Sequence, residues 1–330
     1  MSNHVILKEL NAAIHKHEKA KKVLINLINR SRLRCSQRWN EGFEVEDLIS
    51  NSNCLLIGKS GTGKTYLMET LSRLMDFPLL CIDATTLMPT SASGGLNQAD
   101  VIKAIRKTAL AYFEDAPRNK YYCVEEVIDQ MVVFVDEIDK LGQEFSSSNW
   151  NKHTQTSFLT LFENKHEYHS VSWVFAGAFT DLNRKKIDKK YIGFNHIKDS
   201  KEERDIENEI IKYGMVPELV GRIHHIVELD ELTVDDYEEV LVDIILPKKV
   251  NACYEIGIDP DLLLDHDFSG IIKKAHKSEQ GIRMLSKEID KLLIDLEFEA
   301  NMVDGYKNKG KQKAYYDNAK KALLGLETDE

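Results

Sequence analysis

The residues best suited to chemistry lie in one short run, GKSGTGKT at positions 58–65. Glycines in such a run let backbone N–H groups approach phosphate oxygens closely, and a helix that begins at its end offers those oxygens a positive dipole. Lys64 is placed to reach the β- and γ-phosphates, and the Thr65 hydroxyl is a ligand for Mg²⁺. The run therefore predicts a site for ATP and magnesium, made of Gly58, Lys59, Ser60, Gly61, Thr62, Gly63, Lys64 and Thr65.

A second motif supplies two carboxylates at the end of an apolar run, VVFVDE at 132–137. Asp136 is expected to hold the Mg²⁺ directly or through water, and Glu137 to orient and activate the water that attacks the γ-phosphate. Taken alone, two adjacent acids would indicate only the polar end of a strand. Together with the phosphate loop upstream, they predict an ATPase.

Short apolar runs and helical stretches alternate around these two motifs. The runs of strand length are NCLLIG at 53–58, FPLLCIDA at 77–84, MVVFVDE at 131–137, VSWVFAGAF at 171–179 and IHHIVEL at 223–229. Helical periodicity separates them at 65–75, 99–115 and 152–163, and residues 5–34 predict one or two further helices at the start. The alternation predicts an α/β fold with a mainly parallel five-stranded sheet, covered by helices on both faces.

The strand pattern ends near residue 229, and amphipathic helical segments such as VDDYEEVLVDIIL and GIRMLSKEIDKLLIDLEFEANM follow it. A chain of 330 residues is long enough for two modest domains. We therefore predict a large α/β ATPase domain over residues 1–229, and a small helical domain over residues 230–330 that ends in a lysine-rich tail.

The composition excludes several classes of protein. A formal charge of −10 and a pI near 5.6 disfavour a nucleic-acid-binding protein, because binding phosphates requires an excess of basic side chains. No apolar run is long enough to span a bilayer, and the N-terminus lacks the pattern of a secretion signal, so a cytoplasmic protein is expected. The five cysteines are scattered and odd in number, which indicates reduced thiols.

Several further motifs carry a family resemblance. VDEIDKL at 135–141 together with ATTL at 84–87 resembles the AAA+ unfoldases, and ClpX in particular. Downstream, GMVPELVGR at 214–222 is similar to the ClpX segment that ends in the arginine finger, and QGIRML at 280–285 is similar to its sensor II motif. The resemblance covers residues 18–300, so it implies the AAA+ fold of a P-loop NTPase for most of the chain.

The resemblance also assigns roles to two arginines. It implies that Arg222 acts as a catalytic group in the nucleotide site of a neighbouring subunit, where it stabilises charge on the γ-phosphate. Arg283 would contact the nucleotide of its own subunit. Taken alone, either arginine would be read as a surface or salt-bridge residue. A finger supplied by a neighbour implies a ring, which this family forms as a hexamer of identical chains.

An apolar tip, Ile192-Gly193-Phe194 after Tyr191, lies between the charged segments RKKIDKK and NHIKDSKEERD. Charged flanks of this kind cannot be buried, so the exposed tip is expected to dock into an apolar pocket on another protein. It resembles the IGF loop by which ClpX engages the ClpP peptidase. The alternative reading is a small hydrophobic contact within the chain itself.

The chain departs from the family in the parts that handle substrate. ClpX chains begin with a four-cysteine zinc domain, and we expect this chain to lack it, since barely a dozen residues precede the ATPase region. The family's aromatic pore loop is replaced by MPTSASGGLNQADV at 88–101, in which Leu96 is the one plausible apolar tip. The second pore-loop region is reduced to NKHEYHSV at 164–171, and IHKHEKAKK at 14–22 does not match the V-I-G-Q segment placed near adenine.

These observations lead to a ring-forming ATPase that unfolds or remodels protein substrates and delivers them to a ClpP-type peptidase. The chain is not expected to be a protease, because no Ser/His/Asp or Ser/Lys constellation is evident. The alternative is a remodelling or assembly factor that acts without a peptidase. A nucleic-acid motor is a third hypothesis, which the acidic composition disfavours.

Overall fold

The computed structural model describes residues 2–89, 95–118, 120–143, 150–162, 171–180, 182, 205–256 and 259–302. The chain divides into two compact units. The first contains residues 1–10, 17–59 and 64–230, and the second contains residues 11–16, 60–63 and 231–330. Within the described ranges, no helix combines the length and the apolar character needed to cross a membrane.

A five-stranded parallel sheet forms the centre of the first unit. Its strands are β1 Cys54–Ile57, β2 Leu79–Asp83, β3 Val132–Asp136, β4 Ser172–Gly177 and β5 His225–Glu228. They lie in the order β2-β3-β4-β1-β5, and every neighbouring pair is parallel. The predicted α/β fold and the five predicted strands are thus confirmed.

Burial along the strands follows from their place in the sheet. All residues of β1 and β4 are buried, whereas the edge strands β2 and β5 expose residues such as Cys81 and His225. Central strands of a parallel sheet are covered on both faces, which is why they read as unbroken apolar runs. Leu55, Val133 and Phe175 belong to the core beside them.

Helices surround this sheet. In the first unit they are α2 Glu18–Trp39, α3 Lys64–Met75, α4 Gln98–Asp115, α5 Val124–Asp129, α6 Trp150–Phe162, α7 Ile206–Tyr213 and α8 Pro217–Val220, after α1 Asn3–Ala13 at the start of the chain. Lys16 and His17 adopt left-handed backbone with φ near 60°, which separates α1 from α2. The start of α4 is fixed by a capping box between Asn97 and Asp100.

The second unit is helical in its described residues. After α9 Val234–Val240 come a π-helical turn Leu241–Ile245, α10 Leu246–Ile256, α11 Asp261–Leu264, α12 Ser269–Lys277 and α13 Ile282–Met302. Its own core contains Leu241, Cys253, Leu263, Leu285 and Ile289. The segment 11–16 joins this unit through ion pairs of His15 with Glu239 and of Lys16 with Asp236.

Candidate nucleotide-binding and catalytic site

The glycine loop lies between β1 and α3, as its sequence requires. Gly61 and Gly63 have φ of 76° and 88°, values that favour glycine over any residue with a Cβ. The Gly58 N–H donates to the carbonyl of Gly177 at 3.1 Å, which ties the start of the loop to the end of β4. Because α3 begins at Lys64, the loop leads directly into a helix N-terminus, an arrangement that suits phosphate binding.

Lys64 turns its side chain back into this loop. Its Nζ donates to the carbonyl oxygens of Gly58 at 2.6 Å and Lys59 at 3.0 Å, and the residue is 8% exposed. A lysine held in this way places its positive charge inside the loop, where phosphate oxygens would lie. The contacts therefore fit the phosphate-binding role predicted for Lys64.

Thr65 and Asp136 meet although they are 71 residues apart in sequence. The Thr65 hydroxyl donates to Oδ2 of Asp136 at 2.8 Å, which brings two oxygen ligands together at the carboxyl end of the sheet. Hydroxyl and carboxylate oxygens are donors that Mg²⁺ accepts, with phosphates and water completing its octahedron. The loop and this pair fit ATP with magnesium, and the chain is a nucleotide-binding protein.

Glu137 follows Asp136 in an unusual backbone conformation. Its φ of 57° and ψ of 31° are left-handed, and its N–H donates to Oδ1 of Asp136 at 2.9 Å. Left-handed backbone at a non-glycine residue costs roughly 1–3 kcal/mol and concentrates at functional sites. The bend ends β3 and leaves the Glu137 side chain exposed, which suits the predicted role of a base acting on water.

Arg222 lies at the amino ends of the strands of the same sheet, whereas Thr65 and Asp136 lie at the carboxyl ends. It comes three residues before His225, where β5 starts, and β5 runs parallel to β1. The glycine loop follows the carboxyl end of β1, so a strand length of about 13 Å, at ~3.3 Å per residue, separates Arg222 from the level of the loop. The Arg222 Nη1 donates to the Glu218 carbonyl at 2.7 Å. The structure does not bring Arg222 together with Thr65 and Asp136.

Arg283 belongs to the second unit, where it is the second residue of α13 and is exposed. The loop residues 60–63 group with this unit. A Cβ added at Gly61 would lie 2.3 Å from the carbonyl oxygen of Gln280, and one added at Gly281 would lie 3.1 Å from that of Ser60. Within the second unit, residues 60–61 thus pack against the backbone that immediately precedes Arg283.

Two glycines of the site were absent from the sequence prediction. Gly281, with φ of 57°, is needed for this close approach, and Gly177 is needed because an added Cβ would lie 2.8 Å from Oδ1 of Asp139. Their signal in the sequence was weak. Gly177 ends an apolar run and Gly281 precedes a helical one, positions that any ordinary turn or cap glycine also occupies.

The residues predicted to handle substrate lie partly within and partly outside the described residues. Leu96 forms a bridge with Leu87 and packs, partly buried, against the core of the first unit. The role of Leu96 as the apolar pore tip stays a prediction, with its backbone paired and its side chain partly packed in the described structure. Ile192, Gly193 and Phe194 lie outside the described residues, so the docking role of this tip stays a prediction, as does the role of NKHEYHSV.

The parallel sheet, the glycine loop and the Thr65–Asp136 pair define a P-loop ATPase with an α/β fold of the AAA+ type. The sequence pattern of the ATPase family associated with various cellular activities (AAA) matches residues 54–192, from the first residue of β1 to beyond the end of β4. The match agrees with the fold and the site, and the predicted class of enzyme, an ATPase, is confirmed.

Comparison with curated proteins gives a more specific resemblance than the family pattern does. The chain is 28% identical over 340 residues to the ATP-dependent Clp protease ATP-binding subunit ClpX of Treponema denticola, a match that covers 91% of this chain and 78% of that protein. Proteins of the same name from Borrelia duttonii and Borrelia recurrentis are each 28% identical over 336 residues, covering 88% of this chain and 74% of theirs. The resemblance to ClpX predicted from short motifs is confirmed over nearly the whole chain.

Proposed function

We propose that this chain is a ring-forming ATPase that uses ATP hydrolysis to unfold or remodel proteins. The proposal rests on the position of Arg222. This residue lies at the amino ends of the parallel strands, whereas the glycine loop lies at their carboxyl ends. An arginine there is suited to the site of another copy rather than its own. Head-to-tail contacts of this kind close into rings, consistent with the homo-hexamer implied by the resemblance.

Each residue of the proposed site has a separate task. Bound ATP and Mg²⁺ supply the scissile phosphoanhydride and the divalent charge that polarises it. Lys64 and the loop N–H groups hold the phosphates, while Thr65 and Asp136 hold the metal. Glu137 would orient a water and accept its proton as the water attacks the γ-phosphorus, and ADP would leave as the β–γ phosphoanhydride bond breaks. Arg222 of a neighbouring copy compensates the negative charge that develops on the transferred phosphoryl group.

Delivery to a peptidase is the finer part of the proposal. The relatives carry the name of a subunit of the ATP-dependent Clp protease, and the apolar tip at Ile192-Gly193-Phe194 is suited to an apolar pocket on such a peptidase. The alternative, a remodelling factor without a peptidase, is favoured by one observation. Leu96 is partly buried against the core of the first unit, and the described part of the segment after ATTL contains no aromatic side chain.

Mixed rings test the proposed sharing of the site. Arg222→Ala subunits keep Lys64, Asp136 and Glu137 but lack the finger, whereas Glu137→Gln subunits keep the finger but lack the base. Each variant alone is expected to be nearly inactive, and mixing them should restore ATP turnover at interfaces where an intact site meets an intact finger.

A matched control uses the double variant Arg222→Ala/Glu137→Gln, which carries neither half. Mixed with either single variant, it should restore nothing. Co-assembly in every mixture is checked by mass photometry. Rings that contain both single variants and still hydrolyse no ATP would contradict a site shared between copies.

The peptidase proposal has its own experiment. A ClpP-type peptidase and a folded, degron-tagged substrate are mixed with wild-type protein, with Ile192→Ser/Phe194→Ser, or with the flanking control Lys189→Ser/Lys190→Ser. Only Ile192→Ser/Phe194→Ser should lose ATP-dependent peptide production, while all three proteins should retain ATPase activity. Undiminished peptide production by Ile192→Ser/Phe194→Ser would remove the docking role. Unfolding of the substrate without peptide production in wild type would favour the remodelling alternative.

A further inference from the structure

Asn53, immediately before β1, is a buried polar residue that the nucleotide site does not use. It is 4% exposed, and its backbone and side-chain polar groups all have partners. Because β1 lies between β4 and β5, Asn53 is placed between the starts of both neighbouring strands. A buried amide with every group paired rigidifies its surroundings.

The side chain of Asn53 forms one hydrogen bond to each of the two chain segments beside it, β4 and the turn that precedes β5. Its Oδ1 accepts from the N–H of Trp173 in β4 at 3.2 Å, and its Nδ2 donates to the carbonyl oxygen of Arg222 at 3.2 Å. The second bond is the notable one, because it holds the backbone of the proposed arginine finger. An amide is required for this pairing, since one end must accept and the other must donate.

The backbone of Asn53 fixes the residues after Arg222. Its N–H donates to Nδ1 of His224 at 3.1 Å, and its carbonyl accepts from the N–H groups of His224 and His225 at 3.0 and 3.2 Å. Nδ1 must be unprotonated to accept. Partial shielding from water, followed by the nearby charges of His225 and Arg30, lowers the pKa of His224 and favours that form.

The residues before Arg222 are held by packing. The Arg222 N–H donates to the carbonyl of Leu219 at 3.1 Å, and Leu219, Val220 and Ile223 are all buried. With its neighbours on both sides anchored, Arg222 has little backbone freedom. The point from which its side chain leaves the backbone is therefore set by the turn, and the carbonyl of that turn is held by Asn53.

We propose that Asn53 is a positioning residue for Arg222: by holding the Arg222 carbonyl, it sets the backbone from which the guanidinium reaches the neighbouring nucleotide site. This inference rests on the proposed role of Arg222 between subunits. Asn53 touches neither nucleotide nor metal in this role. Its loss should therefore impair the finger of its own subunit and leave that subunit's glycine loop, Thr65 and Asp136 competent.

Asn51 provides a matched control. It is a buried asparagine at the same edge of the sheet, whose Nδ2 donates to the carbonyl of Val171 and whose Oδ1 accepts from the Ser172 hydroxyl, at 2.8 and 2.9 Å. These bonds connect the residues before β1 with the start of β4, away from the Arg222 turn. Asn51→Ala should lower thermal stability as Asn53→Ala does, without the kinetic defect.

The experiment measures ATPase kinetics and mixed-ring activity. Asn53→Ala should lower kcat on the order of 10-fold, with KM for ATP unchanged, because a misplaced catalytic group costs rate more than binding. Mixed with Glu137→Gln subunits it should recover activity, whereas mixed with Arg222→Ala subunits it should not. Added to Arg222→Ala, it should lower kcat little further.

Asn53→Asp is the second variant if Asn53→Ala does not fold. It keeps the acceptor for Trp173 but sets an oxygen against the Arg222 carbonyl, so the same kinetic pattern is expected. If Arg222→Ala lowers kcat while both Asn53 variants match Asn51→Ala, the positioning role alone is overturned. If Arg222→Ala retains wild-type kcat, the shared site and this inference fail together. Recovery of Asn53→Ala by Arg222→Ala subunits would also overturn it.

Discussion

At the scale of single residues, the chemistry is concentrated where β1 and β3 end. Thr65 and Asp136 are already in contact at 2.8 Å, and Glu137 takes a left-handed conformation directly beside them. Lys64 bonds with two carbonyls of its own loop. These contacts preorganise the groups that would surround the phosphates, and preorganisation of charges is the largest single contribution in many enzymes.

Glu137→Gln should separate binding from turnover. The amide keeps the shape of the side chain but cannot accept a proton, so turnover should fall about 10²- to 10⁴-fold while ATP binding is retained. Lys64→Ala, in contrast, should weaken binding itself. Steady-state hydrolysis and titration with a fluorescent ATP analogue measure the two effects. Wild-type turnover in Glu137→Gln would refute its assignment as the base.

Thr65→Val should raise the magnesium requirement. Valine has nearly the same shape but lacks the hydroxyl, so the Mg²⁺ concentration for half-maximal ATPase activity should increase roughly 10-fold, by analogy with the loss of one metal-orienting contact. Chelation of Mg²⁺ should abolish turnover in both proteins. Thr70→Val, in the same helix, is the control and should leave the titration unchanged. An unaltered magnesium titration in Thr65→Val would exclude Thr65 as a ligand.

At the scale of elements, the segment after β3 and the segment leading to Arg222 are joined within the first unit. Gln155 of α6 donates to the carbonyl of Leu141 at 2.8 Å and accepts from the N–H of Val216 at 2.8 Å. Gly214, which ends α7, lies against the carbonyl of Gly142. These contacts link the segment after Glu137 to the short helix that precedes Arg222.

Gly214→Ala should destabilise the first unit strongly. The φ of 118° disfavours any Cβ, and an added Cβ would lie 1.9 Å from the Gly142 carbonyl oxygen. We expect a loss of at least about 2 kcal/mol, measured by urea unfolding. Gly42→Ala is the control, since its φ is 72° but nothing lies within 4 Å of the added Cβ. It should cost about 1 kcal/mol, and equal losses would contradict a steric role for Gly214.

At the scale of the whole molecule, the proposed mechanism assigns two half-sites to each copy, at the two ends of the strands of one sheet. The glycine loop, Thr65 and Asp136 lie at the carboxyl edge, and Arg222 lies at the amino edge. The strands β1 and β5 are four residues long, and this length separates Arg222 from the glycine loop. A single copy therefore cannot place its own Arg222 against its own glycine loop without breaking the sheet. Association is then a requirement of turnover in the proposed mechanism.

Specific ATPase activity should therefore depend on protein concentration. Dilution below the dissociation constant of the ring should reduce turnover per chain by at least about 10-fold, since the finger contributes several kcal/mol of transition-state stabilisation. Activity is measured across a dilution series beside mass photometry of the same samples. The Arg222→Ala variant should show low activity at every concentration. Constant activity per chain through dissociation would contradict the shared site.

The sequence by itself determined the chemistry that depends on neighbouring residues and the elements that depend on local periodicity. The glycine loop is contiguous, so its phosphate-binding role could be predicted from residues 58–65 alone. The five strands were equally predictable, because buried parallel strands read as short apolar runs. Asp136 and Glu137 were recognisable from their place at the end of one such run.

Only the tertiary structure decided which residues meet across the sheet. Periodicity reports which face of an element is apolar and not which strand lies beside it. The order β2-β3-β4-β1-β5 sets Asn53 between Trp173 and the Arg222 turn, an arrangement that no local pattern contains. The packing of elements also leaves Leu96 partly buried against the core. Contacts between residues far apart in sequence arise from the packing of whole elements, which is why the sequence did not predict them.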